Sequence, residues 1–246
     1  MRILVLNPNT TASMTERIGA AARAAAAPGT VILAVNPAMG PASIEGFYDE
    51  ALCLPGLLEE AMRHERAGID GMVVACFDDT GLDAARTVVS GPVIGICEAG
   101  LRAASVLGTR ISVVTTLSRS VPAIEMLVHR YGFAGRCRVR ATDVPVLALE
   151  DPGSGATERV RAEIAEAIAR DGADAIVLGC AGMTDLARRF GEEFGLPVVD
   201  GVAAAVKLVE GLAALGLRTS RRGAYAAPLA KPYAGELARF APGTPR

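Results

Sequence analysis

Short apolar runs rich in Val, Ile and Leu alternate along this chain with longer amphipathic or alanine-rich segments. The runs fall at 3–6, 31–35, 71–75, 92–96, 111–115, 139–144, 175–179 and 197–200. Unbroken apolar runs of this kind suit strands buried on both faces of a parallel sheet, where each connection is a helix laid over the sheet. Helices are expected over 14–27, 50–66, 120–131 and 157–170, and Pro28-Gly29 and Asp171-Gly172 supply stop signals for two of them. The predicted fold class is α/β.

The pattern is written twice. Residues 68–76 read Gly-Ile-Asp-Gly-Met-Val-Val-Ala-Cys, and residues 172–180, at an offset of 104, read Gly-Ala-Asp-Ala-Ile-Val-Leu-Gly-Cys. Further anchors hold nearly the same spacing: Ile3 with Ile111 and Pro37 with Pro145 at 108, Thr80 with Thr184 at 104, Pro92 with Pro197 at 105. Any parallel α/β protein yields valine-rich strands that end in small residues. A cysteine at the same strand end in both halves needs duplication to explain it. We therefore expect two lobes related by a pseudo-twofold axis, each a four-stranded parallel sheet with flanking helices, and a cleft between them. The strands at 92 and 197 run straight into helices ending near Leu107 and Leu215. By symmetry each helix should cross between lobes, which assigns 1–96 with 201–246 to the first lobe and 97–200 to the second. The tail after Gly216, with Pro228, Pro232, Pro242 and Pro245, reads as an irregular surface wrap.

Composition narrows the function. Apolar residues make up 51% and charged residues 21%, enough for a substantial core. A net charge of −2 argues against a nucleic-acid partner. No apolar run approaches the roughly 18 residues of a membrane span, and the N-terminal run is too short for a secretion signal. The cysteines, at 53, 76, 97, 137 and 180, are odd in number and lack a Cys-x-x-Cys pair, a pattern expected of free thiols in a cytoplasmic protein. His64 and His129 have no neighbouring ligand spacing, so no metal is expected.

In open parallel sheets, ligands bind outside the carboxyl ends of the strands, where Cys76 and Cys180 stand. Each precedes a small or polar stretch expected to open a helix, whose free N–H groups stabilise a thiolate or an enolate oxygen. Inverting a stereocentre by proton exchange needs a base on one face of a planar carbanion and an acid on the other. The roles swap in the reverse direction, so two chemically alike groups suit the task without metal or coenzyme. Asn7, Asn9, Thr115 and Thr116 end equivalent first strands and are candidate donors to the enolate. Asp78 and Asp79 are expected to cap a helix or to accept a substrate N–H. Plainer roles compete: Asn9 and Thr10 can be helix caps, residues 45–48 a loop before a helix, and Cys53, Cys97 and Cys137 core residues. His64, between Arg63 and Glu65, reads as solvated.

These residues together resemble the aspartate/glutamate/hydantoin racemase superfamily, in its hydantoin and allantoin racemase branch. The resemblance rests on Asn7-Pro8-Asn9-Thr10-Thr11, Ser43-Ile44-Glu45-Gly46, Ala75-Cys76-Phe77-Asp78-Asp79, Thr115-Thr116, Leu178-Gly179-Cys180-Ala181-Gly182-Met183 and Pro197-Val198-Val199-Asp200-Gly201. It implies flavodoxin-like lobes, cofactor-independent racemisation by Cys76 and Cys180, and a homo-oligomer. It also marks Ile44, Phe77, Gly179, Ala181 and Gly182 as substrate-binding candidates beside Asn9, Asp78, Thr115 and Thr116. Glutamate racemases carry Asn-Thr and Thr-His after the two cysteines. Phe77-Asp78 and Ala181-Gly182 stand here instead, which favours an uncharged cyclic ureide over a free amino acid. A 5-monosubstituted hydantoin is the expected substrate. Allantoin, or an arylmalonate decarboxylase or maleate isomerase reaction on the same scaffold, is the alternative.

Overall fold

Residues 1–242 are described by a computed structural model of the protein, so Pro245 lies outside the described residues. Two four-stranded parallel sheets form, as the repeat predicts, in the same spatial order. In the first, β1 (Arg2–Leu6) is flanked by β2 (Val31–Val35) and β3 (Gly71–Val74), with β4 (Val93–Gly95) outside β3. In the second, β5 (Ile111–Thr115) is flanked by β6 (Cys137–Ala141) and β7 (Ala175–Gly179), with β8 (Val198–Asp200) outside β7. The registers match as well: Ile3 pairs Ile32 and Gly71, and Ile111 pairs Cys137 and Ala175.

Side chains of a strand alternate between sheet faces, which explains why these runs are apolar throughout. Ile3, Val5 and Val73 enter a core shared with Ile111, Val113 and Val177 of the other sheet. Leu4, Leu6, Met72 and Val74 face outward onto the first lobe's own helices, as Val114, Ile176 and Leu178 do in the second. Two helices fill the shared core. α4 (Ile96–Leu107) leaves β4 and lies against β7 and β8, while α8 (Gly201–Ala214) leaves β8 and lies against β3 and β4. The two pack against each other, and their first turns touch: a Cβ on Gly201 would sit 2.4 Å from the Ile96 carbonyl. Each Ile, Leu or Val buried there contributes about 1.5–3 kcal/mol. The inner core therefore holds the two sheets against each other.

α1 (Ala12–Ala25), α2 (Phe47–Arg66), α3 (Leu82–Val88), α5 (Val121–Arg130), α6 (Ala156–Glu166) and α7 (Leu186–Phe194) complete the layers. Three local expectations are corrected. β6 starts two residues and ends three residues before its apolar signal, because the chain turns at Asp143 with φ 52° and cannot stay extended to 144. The helices after the cysteines begin only at Leu82 and Leu186, after a turn at 76–81 and a 3-10 turn over Ala181–Met183. His64 is buried, its Nδ1 lying 2.9 Å from the Glu60 carbonyl, because it shares a helical stripe with Cys53, Leu57 and Ala61. The tail passes the loop after α3, where the Thr219 N–H donates to the Ser90 carbonyl, runs over α3, where the Tyr225 hydroxyl donates to Asp83, and reaches α2, where Arg239 pairs with Glu59.

Candidate active site

A cavity opens where the carboxyl ends of the two sheets converge. Its walls come from the segments after β1 (Asn7, Asn9, Met14) and after β3 (Ala75, Cys76, Phe77, Asp78), and from the ends of β5 (Thr115, Thr116, Ser120) and β7 (Gly179, Cys180, Ala181), with Ile44 and Val146 completing the lining. Its free space, open mouth included, is about 420 Å³. Both half-buried sulfurs line it, one from each sheet. Among the described residues no cluster of three or more His, Cys, Asp or Glu side chains could hold a metal ion.

Bonds between lobes close the cavity's sides. The Val146 N–H donates to Glu45 Oε1 at 3.0 Å. On the α1 side, Glu150 accepts from the Ser13 hydroxyl at 2.7 Å and from Arg17 at 3.2 Å. The sequence left residues 45–48 open between loop and pocket wall. Glu45 braces the rim, whereas Phe47 and Tyr48 begin α2 with exposed side chains.

The polar wall divides into groups already engaged and groups left free. Thr115 donates to the Gly179 carbonyl at 2.9 Å, so its hydroxyl is committed to holding β5 against β7. Asn7 donates to Asn9 and to Thr15, and the Asn9 carbonyl oxygen also accepts the Thr11 N–H. The Asn9 amide keeps only a weak contact to the Met14 sulfur. Among the described residues the Asp78 carboxylate and the hydroxyls of Thr116 and Ser120 have no protein hydrogen-bond partner, although all three line the cavity. Gly182 stands behind the lining, its N–H turned toward the Cys180 sulfur. Cys76 is served in the same way, by the Asp78 N–H and by the Thr80 hydroxyl at 3.6 Å.

Comparison with known proteins gives the family. The family model for Asp/Glu/hydantoin racemase matches residues 3–209. The chain belongs to that family. It is 51% identical to the hydantoin racemase of Rhizobium meliloti, over 96% of this chain and 98% of that one. It is 47% identical to the hydantoin racemase of Pseudomonas sp. (strain NS671), over 98% and 97% of the two chains. Among solved structures, the allantoin racemase from Klebsiella pneumoniae superposes with a TM-score of 0.96 at 51% identity, over 98% of this chain and 99% of that one. The protein is an isomerase, a racemase of the Asp/Glu/hydantoin family.

In this racemase, burial sets the acidity of the cavity's titratable groups. It pushes the Cys180 thiol up to about 11, aided by the Asp78 carboxylate and opposed by the Gly182 N–H and by Arg17. It also pushes the Cys76 thiol up, with Asp78 adding to the effect and Thr80 and the Asp78 N–H opposing it. Asp78 itself rises to about 7 through burial and the carboxylates of Glu50 and Asp79. Both sulfurs thus rest as thiols beside a carboxyl that titrates near neutrality.

Met14, Ser120 and Val146 line the cavity without having been singled out in the sequence. Met14 had a readable signal, one turn into the helix that follows the asparagine motif. Val146 had the duplication, since Pro37 and Pro145 mark the same loop in each half. Ser120 offered no comparable cue. No helix among the described residues is long and apolar enough to cross a membrane.

Proposed function

We propose that this racemase interconverts the enantiomers of 5-monosubstituted hydantoins by direct proton transfer between Cys76 and Cys180. The observation that carries the reading is that both sulfurs line one cavity from different sheets, each beside the N–H of the residue two positions on. One sulfur, once it has lost its proton to solvent, takes the proton from C5 as thiolate. The C–H electron pair moves into the adjacent C4 carbonyl, giving an enolate, and an S–H bond forms. The thiol opposite then gives its proton to the other face of C5 and becomes the thiolate. No net proton or electron is gained, and the enzyme is left ready for the reverse direction. Thr116 and Ser120 have hydroxyls free to bond ring carbonyls, and Asp78 can accept a ring N–H. Asn9, Ile44, Phe77, Gly179 and Ala181 complete the wall around the ring.

Allantoin is the second substrate to consider, since it is itself a hydantoin with a ureido group at C5. The 51% identity to an allantoin racemase structure and the polar side of the cavity favour testing it first among alternatives. Two catalytic thiols suit a reducing cytoplasm, and we expect the enzyme to work as a homo-oligomer without cofactor, nucleic acid or membrane.

A polarimetric screen of enantiopure hydantoins, allantoin, glutamate and aspartate tests the reading. Loss of rotation without change of mass is expected for the cyclic ureides and not for the amino acids. Activity confined to amino acids, or release of carbon dioxide from a malonate, would refute it.

A further inference from the structure

We infer that Asp79 is a positioning residue for the Cys76 half of the reaction: its carboxylate fixes, across the lobe boundary, the turn whose donors hold the Cys76 sulfur. The inference rests on the two-thiol reading proposed above. Asp79 is buried, and its carboxylate accepts three hydrogen bonds. The N–H groups of Cys97 and Glu98, in the first turn of α4, donate at 3.0 Å each, and the Tyr131 hydroxyl donates at 2.6 Å. Tyr131 follows α5 on the second sheet's side. The first-lobe turn is therefore pinned both to the helix that crosses into the second lobe and to a side chain already there.

The turn is shaped for this purpose. Asp79 adopts φ 46°, a left-handed conformation that few non-glycine residues take without compensation. Its N–H closes onto the Cys76 carbonyl at 3.1 Å. The residues on either side of it are the two that serve the sulfur, Asp78 through its N–H and Thr80 through its hydroxyl. Gly95 leaves the space the carboxylate occupies, since a Cβ there would lie 2.1 Å from Asp79 Oδ1. At the duplicated position in the second lobe, the same backbone bond recurs, from the Met183 N–H to the Cys180 carbonyl at 3.0 Å. The anchor there is a fully buried apolar side chain in the second lobe's own core. A carboxylate tie thus bears on Cys76 and, among the described residues, has no counterpart at Cys180.

A racemase with an equilibrium constant of one must lose its forward and reverse rates together, so racemisation alone does not show which thiol has been displaced. Exchange of the α-proton does. Each enantiomer of one 5-substituted hydantoin is incubated with full-length enzyme in deuterated water, and loss of the C5 proton is followed by NMR. The Cys76→Ser variant identifies the enantiomer whose proton Cys76 removes. In Asp79→Asn, exchange from that enantiomer should fall by roughly 10²-fold, the scale expected when a reacting group is misplaced by about 1 Å, while the other stays within a few-fold. Tyr131→Phe, which removes one donor of three, should show the same one-sided bias at several-fold. It also serves as the test if Asp79→Asn does not fold. Equal loss from both enantiomers, or no loss, overturns the inference while leaving two-thiol catalysis intact. Wild-type enzyme that exchanges neither enantiomer overturns the two-thiol reading and this inference with it.

Discussion

The turn after Cys76 and the turn after Cys180 share two backbone contacts to the cysteine and differ in nearly everything else. In both, the N–H two residues on serves the sulfur and the N–H three residues on closes onto the cysteine carbonyl. The surroundings diverge. The Cys76 turn sits among the carboxylates of Asp78, Asp79 and Glu50, whereas the Cys180 turn packs on apolar side chains and feels the positive charge of Arg17. On the two-thiol reading proposed above, both halves keep what proton transfer requires of each sulfur, a strand end and a donor N–H. The side chains differ, as they would if the cyclic ureide proposed above presents a different edge to each lobe. Symmetric chemistry in an asymmetric wall is what a racemase with a chiral substrate needs.

The sharpest way to break the comparison is to remove one sulfur at a time. Cys76→Ser and Cys180→Ser should each lower racemisation by roughly 10³-fold or more, since a serine hydroxyl at neutral pH is a far weaker base than a thiolate. Each should retain α-proton exchange from one enantiomer only, and from opposite enantiomers in the two variants. Polarimetry beside NMR in deuterated water measures both quantities. Either variant racemising at near wild-type rate would show that the two turns are not a catalytic pair.

Much of this arrangement was legible beforehand, for identifiable reasons. Gly-x-Asp before a valine-rich run marks a helix end, a turn and a buried strand locally, so the repeat at 68–76 and 172–180 exposed both sheets and both cysteines. What stayed hidden depends on contacts distant in sequence. Nothing near Asp79 announces that it will cap α4, 18 residues on, or meet Tyr131, 52 residues on. The burial of His64 was readable from its spacing with Leu57 and Ala61, but flanking charges at 63 and 65 masked it. Thr115 looked free to bind substrate, and only the pairing of β5 with β7 shows its hydroxyl engaged.

Charge offers a second, smaller test. Asp78 raises both thiols and is itself raised from 3.8 to about 7, chiefly by burial. A carboxyl that is harder to ionise when folded costs nothing below pH 3.8, where both states hold the proton. The penalty grows as pH rises and is complete above about 7. Asp78→Asn should therefore stabilise the protein by on the order of 2–4 kcal/mol at pH 8 and by less at pH 5. Urea unfolding at the two pH values reads the difference. The same substitution should move the alkaline rise of racemisation to lower pH, because both thiols lose a negative neighbour. A stability gain that is the same at pH 5 and pH 8 would mean that Asp78 does not titrate as its surroundings imply.

The smallest effect separates the cysteine side chain from the cysteine backbone in the Asp79 tie. Cys97 is fully buried and supplies Asp79 with a hydrogen bond through its main-chain N–H, which Cys97→Ala leaves in place. The lost sulfur should cost about 1 kcal/mol of stability, as deletion of a small buried group does. Racemisation and exchange from both enantiomers should stay within a few-fold of wild type, and the same holds for Cys137→Ala, a core position away from the cavity. A one-sided loss of exchange in Cys97→Ala would show that packing beneath α4, rather than the carboxylate tie alone, aligns the Cys76 turn.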